Sequence, residues 1–574
     1  MSDRFSDSHL EFIGKFAEAL FDGFETMAIP VSQVVRNFEK QFDLLGKPAR
    51  DRMKSILTFR ALWLHPLFND RSLARRREII EEKLRYSSND DRQDLARLRS
   101  IVYGAYYGHW IDGDEDDNEH NPVHHQIGFT LPGFRERLGG PLDRKIERVE
   151  GREIDRAHVL EPYAVEAAYD VIVIGSGSGG AVAARNLVLE HGYRSVLIIE
   201  SGPFMPSKAI TLEERRMGAQ LYREGTLQTT RDNDVIIFQG GSVGGSPTVN
   251  NGICLRMAQD PHRNSTAWNP FDIWKDAFDI DLEDQFMAAY DAVAKRLDIR
   301  PVEPRSGRGN GAHLADAWTE FAKGRTASWI LGAKPGWFLK SFGPADTDKA
   351  CVYCGYCNTG CPYARKLSPA QTDLPEACKG GARILARSTV EEIVIEPAGP
   401  DGQRRATGVW VRIEDERKPR FIAANVGVVV AAGAIASSNL LERSGVDNTG
   451  KDISLIVASP IIALMHEEGA VPAGFTPSWD EDQMTTAVDC GTFLLESHFQ
   501  PPQSMSMLMP GWFEDMYRRM RAYGRIRSAG ILIPIDRAGR LKNDKLEIEF
   551  DKANMDNLRL ALATLTKVHF AHKV

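Results

Sequence analysis

Apolar residues recur at three- and four-residue steps through the first hundred positions: Ile13, Phe16, Leu20 and Phe24, then Leu95, Leu98, Ile101 and Val102. That spacing places them on one helix face, so residues 8 to about 110 are expected to be all-α. Between Arg71 and Arg85 charge of both signs takes over, with Arg75, Arg76 and Arg77 set against Glu78, Glu81 and Glu82; this suits a solvated helix face better than an anion site. The acidic stretch DGDEDDNEHNPVHH, Asp112 to His125, is expected to be a loop or linker, and hydrated charge is a plainer reading of its His and Asp than a metal site. From about Ala168 the pattern becomes strand, Gly-rich turn and helix, the opening of an α/β unit. Strand-like runs follow at Val235 to Phe238, Thr407 to Ile413, Val426 to Ala432, Ala529 to Pro534 and Leu546 to Phe550. Met555, Leu558, Leu562 and Leu565 fit a last helix that reaches Val574.

The chain has 574 residues, enough for roughly four structural units at about 150 residues each. Its balance of 71 Lys plus Arg against 79 Asp plus Glu lacks the basic surplus that nucleic acid requires. No apolar stretch is long enough for a transmembrane segment and the start has no basic, apolar leader, so a cytoplasmic chain is expected. Of seven cysteines, five (Cys351, Cys354, Cys357, Cys361 and Cys378) crowd into one short stretch, which points to metal or redox chemistry.

The most informative segment is YDVIVIGSGSGGAVAARNLVLEHGYRSVLIIESG. An apolar strand, Tyr169 to Ile174, runs into Gly175-Ser176-Gly177-Ser178-Gly179-Gly180 and then a helix. Gly175 suits the tight turn, Gly177 lets backbone approach a pyrophosphate, and Gly180 lets helix pack on strand, with the anion at the helix N-terminus. Glu200 ends the next strand 20 residues after Gly180, where a carboxylate can accept from ribose hydroxyls. A dinucleotide site is expected; the motif alone leaves FAD and NAD open. A second glycine cluster, FQGGSVGGSPTVNNG from Phe238 to Gly252, lets backbone approach a flat ligand, although by itself a loop of tight turns is its favoured reading.

Together with ARILARSTVEEIVIE and VVVAAGAIASSNLLERSGV, these motifs resemble the glucose-methanol-choline (GMC) oxidoreductase family, nearest its long-chain alcohol oxidase branch, over about residues 165–574. The resemblance implies an α/β fold with α+β parts: a Rossmann-like FAD-binding domain, an antiparallel-sheet substrate domain and, outside the resemblance, an all-α N-terminal domain. The layout is 1–165 helical domain and linker, 166–345 and 381–450 the two parts of the FAD-binding domain, 346–380 a Cys-rich segment, and 451–574 the substrate-binding domain. It also implies FAD as cofactor and oxidation of the CH–OH group of a small-molecule alcohol by hydride transfer. Glu200, with Ser201 beside it, is then expected at the adenosine ribose, Gly244, Gly245, Ser246 and Asn250 along the pyrophosphate and flavin, the Val390 backbone at the adenine, and Gly433 in a further FAD-contacting turn. Residues 1–165 resemble, less closely, the helical small subunit of membrane-associated gluconate dehydrogenases.

In the family a His paired with His or Asn takes the hydroxyl proton from the C-terminal part of the chain, and this sequence is expected to stop before that segment, leaving room for a second subunit to supply it. His466, His569 and His572 read as structural groups, so no catalytic residue is named. Trp479, Phe499 and Met505 to Met509 are expected to line the substrate region and weakly favour a hydrophobic alcohol.

The run CVYCGYCNTGCP spaces Cys351, Cys354, Cys357 and Cys361 as C-x2-C-x2-C-x3-C-P, the spacing of ferredoxin-type clusters. Three readings stand: a [4Fe–4S] cluster, with Cys378 the nearest outside ligand should one be needed; a tetrahedral zinc; or unliganded thiols. Cys254 and Cys490 read as buried small hydrophobes. With a cluster, electrons would pass from flavin to an electron-acceptor protein or quinone. The rival readings are a non-catalytic FAD/iron–sulfur electron-transfer subunit, a truncated enzyme and an NAD-linked dehydrogenase.

Overall fold

A computed structural model describes residues 5–572 except 48, 56, 58–67, 114–115, 133–147, 150–151, 233, 257–269, 303–308, 342–349, 401, 415 and 466–483. His466 and Trp479 lie outside the described residues.

The helical periodicity near the start becomes the helices Asp7–Leu20, Val31–Leu44, Leu73–Tyr86 and Asn89–Tyr107. Ser6, Ser72 and Ser88 cap three of them by accepting a backbone N–H that the helix leaves unpaired. Their apolar faces meet in a core of Phe12, Phe16, Leu20, Phe38, Phe42, Tyr103 and Tyr106. The same core takes in Phe499, Met505, Met509, Phe513 and Met516. Phe499 and the flanking methionines therefore pack against the N-terminal helices, a correction to the expectation that they line a substrate region. On the charged helix Arg75 is exposed and paired with Glu78 and Glu82, as a solvated face should be. Arg76 departs from that reading: it is buried and donates to the Lys15 carbonyl and Glu18. The stretch Asp112 to His125 also holds more structure than a linker, with a short helix Pro122–Ile127 capped by Asn121 and with His124 buried.

The central sheet follows from a strand that is apolar on both faces, as a parallel strand covered from both sides must be. Ala168–Ile174 pairs in parallel with Val196–Ile199 and Arg420–Val430, and Arg383–Leu385 adds a fourth parallel strand at the edge. Arg405–Ile413 and Ser388–Glu396 continue the sheet antiparallel beyond Arg420–Val430. The crossover helix Ser178–Leu189 packs on this sheet through Ala181, Ala184 and Val188. The run Val235 to Phe238, expected to be a strand, forms only the isolated bridge Thr229↔Ile236.

The second sheet is antiparallel, in the order Ile453–Leu464, Ile526–Lys542, Leu494–His498, Thr486–Asp489, Pro335–Trp337. Helices Asn310–Ala322 and Lys552–Phe570 cover it, with Trp318, Leu495, Ile531 and Leu565 at the centre of the contact. No helix among the described residues is long and apolar enough to cross a membrane.

Candidate dinucleotide-binding site

Four chain segments converge at the C-terminal end of Ala168–Ile174. Gly175 makes the turn with φ +96, and a Cβ there would stand 2.5 Å from the Ala431 carbonyl oxygen, so only glycine lets the two strand ends lie side by side. Ser176, next in the turn, donates its hydroxyl to Glu200 Oε2 at 2.6 Å, and the Ser176 N–H donates to the same oxygen at 3.1 Å. The Ser176 hydroxyl also accepts from the Gly244 N–H at 3.0 Å. The other Glu200 oxygen accepts from the Gly202 N–H at 2.9 Å and from the Ser201 hydroxyl at 3.2 Å. Glu200 is thus buried and aimed by the turn on one side and by its own strand end on the other.

The second glycine cluster lies against the first. A Cβ on Gly245, whose φ is +62, would come within 2.6 Å of the Gly177 Cα. Gly177 caps the helix Ser178–Leu189, and Ser178 and Gly179 are exposed at its start while Gly180 is buried against the strand. Ser246 accepts from the Gly240 N–H at 3.0 Å, and Asn250 accepts from the Gly252 N–H at 2.9 Å. Gly433, φ +80, opens the helix Ala434–Arg443 and faces Gln239, whose buried side-chain oxygen has no hydrogen-bond partner. Val390 is buried on Ser388–Glu396, opposite Val411, with Ser388 N donating to the Glu200 carbonyl at 2.9 Å.

A cradle of glycines, an orphaned amide oxygen and a strand-end carboxylate at one end of a parallel sheet fit a dinucleotide cofactor. Ser176, Gly202 and Gln239 were not singled out from the sequence. Ser176 sits inside the glycine motif at a position the motif leaves free, so its role as a bridge shows only in three dimensions.

Cys351, Cys354, Cys357 and Cys361 line one small cavity with Arg365 and Lys366. Burial first, and then the other cysteines, push the Cys351 thiol up to about 12, and the thiols of Cys354 and Cys361 are raised for the same reasons. Among the described residues no group of three or more His, Cys, Asp or Glu is arranged to hold a metal ion. Neither the [4Fe–4S] reading nor the zinc reading of the run therefore finds a preformed site. Cys378 lies elsewhere, buried with Leu374 and Ala377 in the core of the parallel sheet, which removes it as an outside ligand. Cys490 is core in the antiparallel sheet, and Cys254 is half-buried beside Gly252.

The histidines near the chain's end pack as structural groups. His569 Nδ1 lies 3.1 Å from His313 Nε2, with the rings stacked 5.3 Å apart inside the antiparallel-sheet layer. Burial holds His569 down to about 4 and His313 down to about 2, so both are neutral at ordinary pH.

A mixed sheet with four parallel strands, carrying this glycine cradle at its strand ends, is a mixed α/β fold of a kind that suits a dinucleotide. Residues 218–458 match the family model described as GMC oxidoreductase, and the chain carries a GMC oxidoreductase domain. It is 28% identical over 418 residues to an uncharacterized GMC-type oxidoreductase of Mycobacterium tuberculosis, covering 70% of this chain and 60% of that relative. It is 24% identical over 550 residues to a long-chain-alcohol oxidase of Arabidopsis thaliana, covering 87% of this chain and 66% of that one. A solved structure of formate oxidase from Aspergillus oryzae RIB40 overlays with a TM-score of 0.45 at 12% identity, over 71% of this chain and 80% of that one. The chain thus spans about three fifths to two thirds of the length of these curated relatives.

Proposed function

We propose that this protein is an FAD-dependent oxidoreductase that oxidises the CH–OH group of an alcohol. The observation that carries the reading is the Ser176–Glu200–Gly244 junction, which binds the two glycine clusters and the strand-end carboxylate into one cradle. The GMC oxidoreductase match and the likeness to a long-chain-alcohol oxidase support the choice of flavin and of alcohol.

When bound, the flavin supplies the hydride acceptor. The residues of this chain do the holding. The N–H groups that open Ser178–Leu189 would hold the pyrophosphate, Glu200 would accept from the ribose hydroxyls, and the segment from Gly244 to Asn250 would offer its backbone to the ring system. Glu200 is fixed by donors before any ligand arrives, so little ordering is required on binding.

The test is an anaerobic spectrum of the purified chain before and after adding primary alcohols of increasing chain length. Bound flavin that bleaches with alcohol supports the proposal; flavin that no alcohol reduces overturns the alcohol reading; a chain that binds NAD and no flavin overturns the cofactor. Readmitting oxygen, a quinone or a carrier protein then identifies the electron acceptor.

A further inference from the structure

A cavity of about 610 Å³ opens where the N-terminal helices meet the helix Phe513–Arg521. Three parts of the chain line it: the turn from Glu25 to Ala28, the segment from His120 to Gln126, and the helix itself through Tyr517 and Arg521. One residue ties these walls together. Gln126 accepts from the Tyr106 hydroxyl at 2.7 Å through its side-chain oxygen, donates to the Thr26 carbonyl at 2.6 Å through its side-chain nitrogen, and takes a bond from Arg521 on its backbone carbonyl. The Tyr106 hydroxyl in turn accepts from the Ala28 N–H at 2.8 Å. The walls are therefore set before any ligand arrives, and a site held in this way loses little order on binding.

Two opposite charges face this cavity and neither is neutralised. Glu25 makes no hydrogen bond or ion pair with any described residue, and Arg521 makes none beyond its bond to the Gln126 carbonyl. The two side chains line one space without reaching each other. Tyr517 adds a neutral donor: it is only 7% exposed and its ring packs 4.8 Å from Phe24, yet its hydroxyl has no partner among the described residues. A hydroxyl so placed is costly unless water or a ligand bonds it. The rings of His120 and His125, with centroids 6.4 Å apart, give the cavity flat surface beside these groups.

We propose that this cavity binds a small zwitterion of amino-acid size, with Glu25 taking its ammonium group and Arg521, together with the Tyr517 hydroxyl, its carboxylate. A guanidinium presents paired N–H donors in the plane that a carboxylate accepts. A ligand with a negative charge alone leaves Glu25 unmatched, and one with a positive charge alone leaves Arg521 unmatched; a ligand that carries both satisfies both. A cavity of this volume holds an aromatic side chain as well as the two charged groups, and the rings of Tyr517, His120 and His125 suit one. None of these residues belongs to the glycine cradle, so the site stands or falls apart from the proposed cofactor.

The test is isothermal titration calorimetry of the full chain with L-phenylalanine, with 3-phenylpropionate, which lacks the ammonium group, and with 2-phenylethylamine, which lacks the carboxylate. L-phenylalanine should bind about threefold to fivefold more tightly than either analogue, the scale of one charge pair that keeps contact with water. Arg521→Gln should bring L-phenylalanine down to the affinity of 2-phenylethylamine and leave the amine bound no more weakly than before. Glu25→Gln should do the converse, with 3-phenylpropionate as the unaffected ligand. Tyr517→Phe should weaken the two carboxylates and spare the amine. Glu25 and Arg521 are exposed, so both charge variants should keep the melting temperature of the ligand-free chain, and they carry the test even if Tyr517→Phe loosens the helix. No binding of L-phenylalanine at millimolar concentration overturns the proposal, as do equal affinities for the three ligands or an affinity that neither charge variant changes.

Discussion

The Ser176 hydroxyl joins two segments 68 residues apart: it accepts from the Gly244 N–H while donating to Glu200. One small side chain thereby sets the distance between the two glycine clusters and the direction of the carboxylate. Ser176→Ala should remove one of the four donors to Glu200, leaving the Ser176 and Gly202 N–H groups and the Ser201 hydroxyl, a loss of about 1.5–3 kcal/mol in orienting energy. FAD affinity, measured by fluorescence titration of the flavin-free protein, should fall at least about tenfold. An unchanged affinity would mean that the ribose is not held at Glu200.

Gly177 and Gly245 separate folding from binding. A Cβ at Gly245 meets the Gly177 Cα at 2.6 Å and is strained by its φ, whereas a Cβ at Gly177 meets Gly245 only at 3.8 Å, ordinary contact. Gly245→Ala should therefore lower the melting temperature, at a cost of about 1–3 kcal/mol, and abolish flavin binding. Gly177→Ala should keep the melting temperature of the flavin-free protein and lose flavin, because the new methyl stands where backbone must approach the pyrophosphate. Equal flavin content in wild type and Gly177→Ala would remove Gly177 from the cofactor site.

The sequence made the dinucleotide cradle legible because its parts are local: strand, glycine turn and helix lie within about thirty residues, and each has its own physical signature. The helical start was legible for the same reason, since a period of 3.6 needs no partner to be seen. What escaped depends on partners far along the chain. Phe499, Met505 and Met509 look equally like a substrate lining or a core, and only the N-terminal helices, some 400 residues earlier, decide for the core. Arg76 sits in a run of charge and is buried because Lys15 and Glu18 happen to face it. Cys378 is near the cysteine run in sequence but is carried away on the helix Asp373–Lys379 that packs against Ser178–Leu189.

Buried neutral histidines set an acid limit. Burial lowers His124 to about 3, His313 to about 2 and His569 to about 4, all below the ordinary 6.5. The unfolded chain therefore binds protons at these sites at a pH where the folded chain does not, and stability falls as pH drops. Their contribution is full above about pH 6.5 and is lost progressively as pH falls, for His569 down to about 4 and for His124 and His313 further, to about 3 and about 2. Denaturant midpoints across that window should fall with pH, and His313→Gln should flatten the slope. A slope identical to wild type would show that His313 titrates normally in the folded chain.

The N-terminal helices are held to the rest of the chain by apolar burial more than by charge. Arg77 donates two bonds to Glu514, at 2.9 and 2.8 Å, and lies over the Phe513 ring at 4.4 Å. Glu514 is nonetheless 45% exposed, so water and salt screen the pair, and a double-mutant cycle on Arg77 and Glu514 should give a coupling of about 0.3–1 kcal/mol that shrinks in high salt. Met516, two residues further along the same helix, is fully buried in the core of the N-terminal helices. Met516→Ala should cost about 2–5 kcal/mol, insensitive to salt, because it leaves a cavity in the buried apolar core. Chemical denaturation of the four variants at two salt concentrations decides the matter: a coupling as large as the Met516→Ala loss would make the ion pair the principal link.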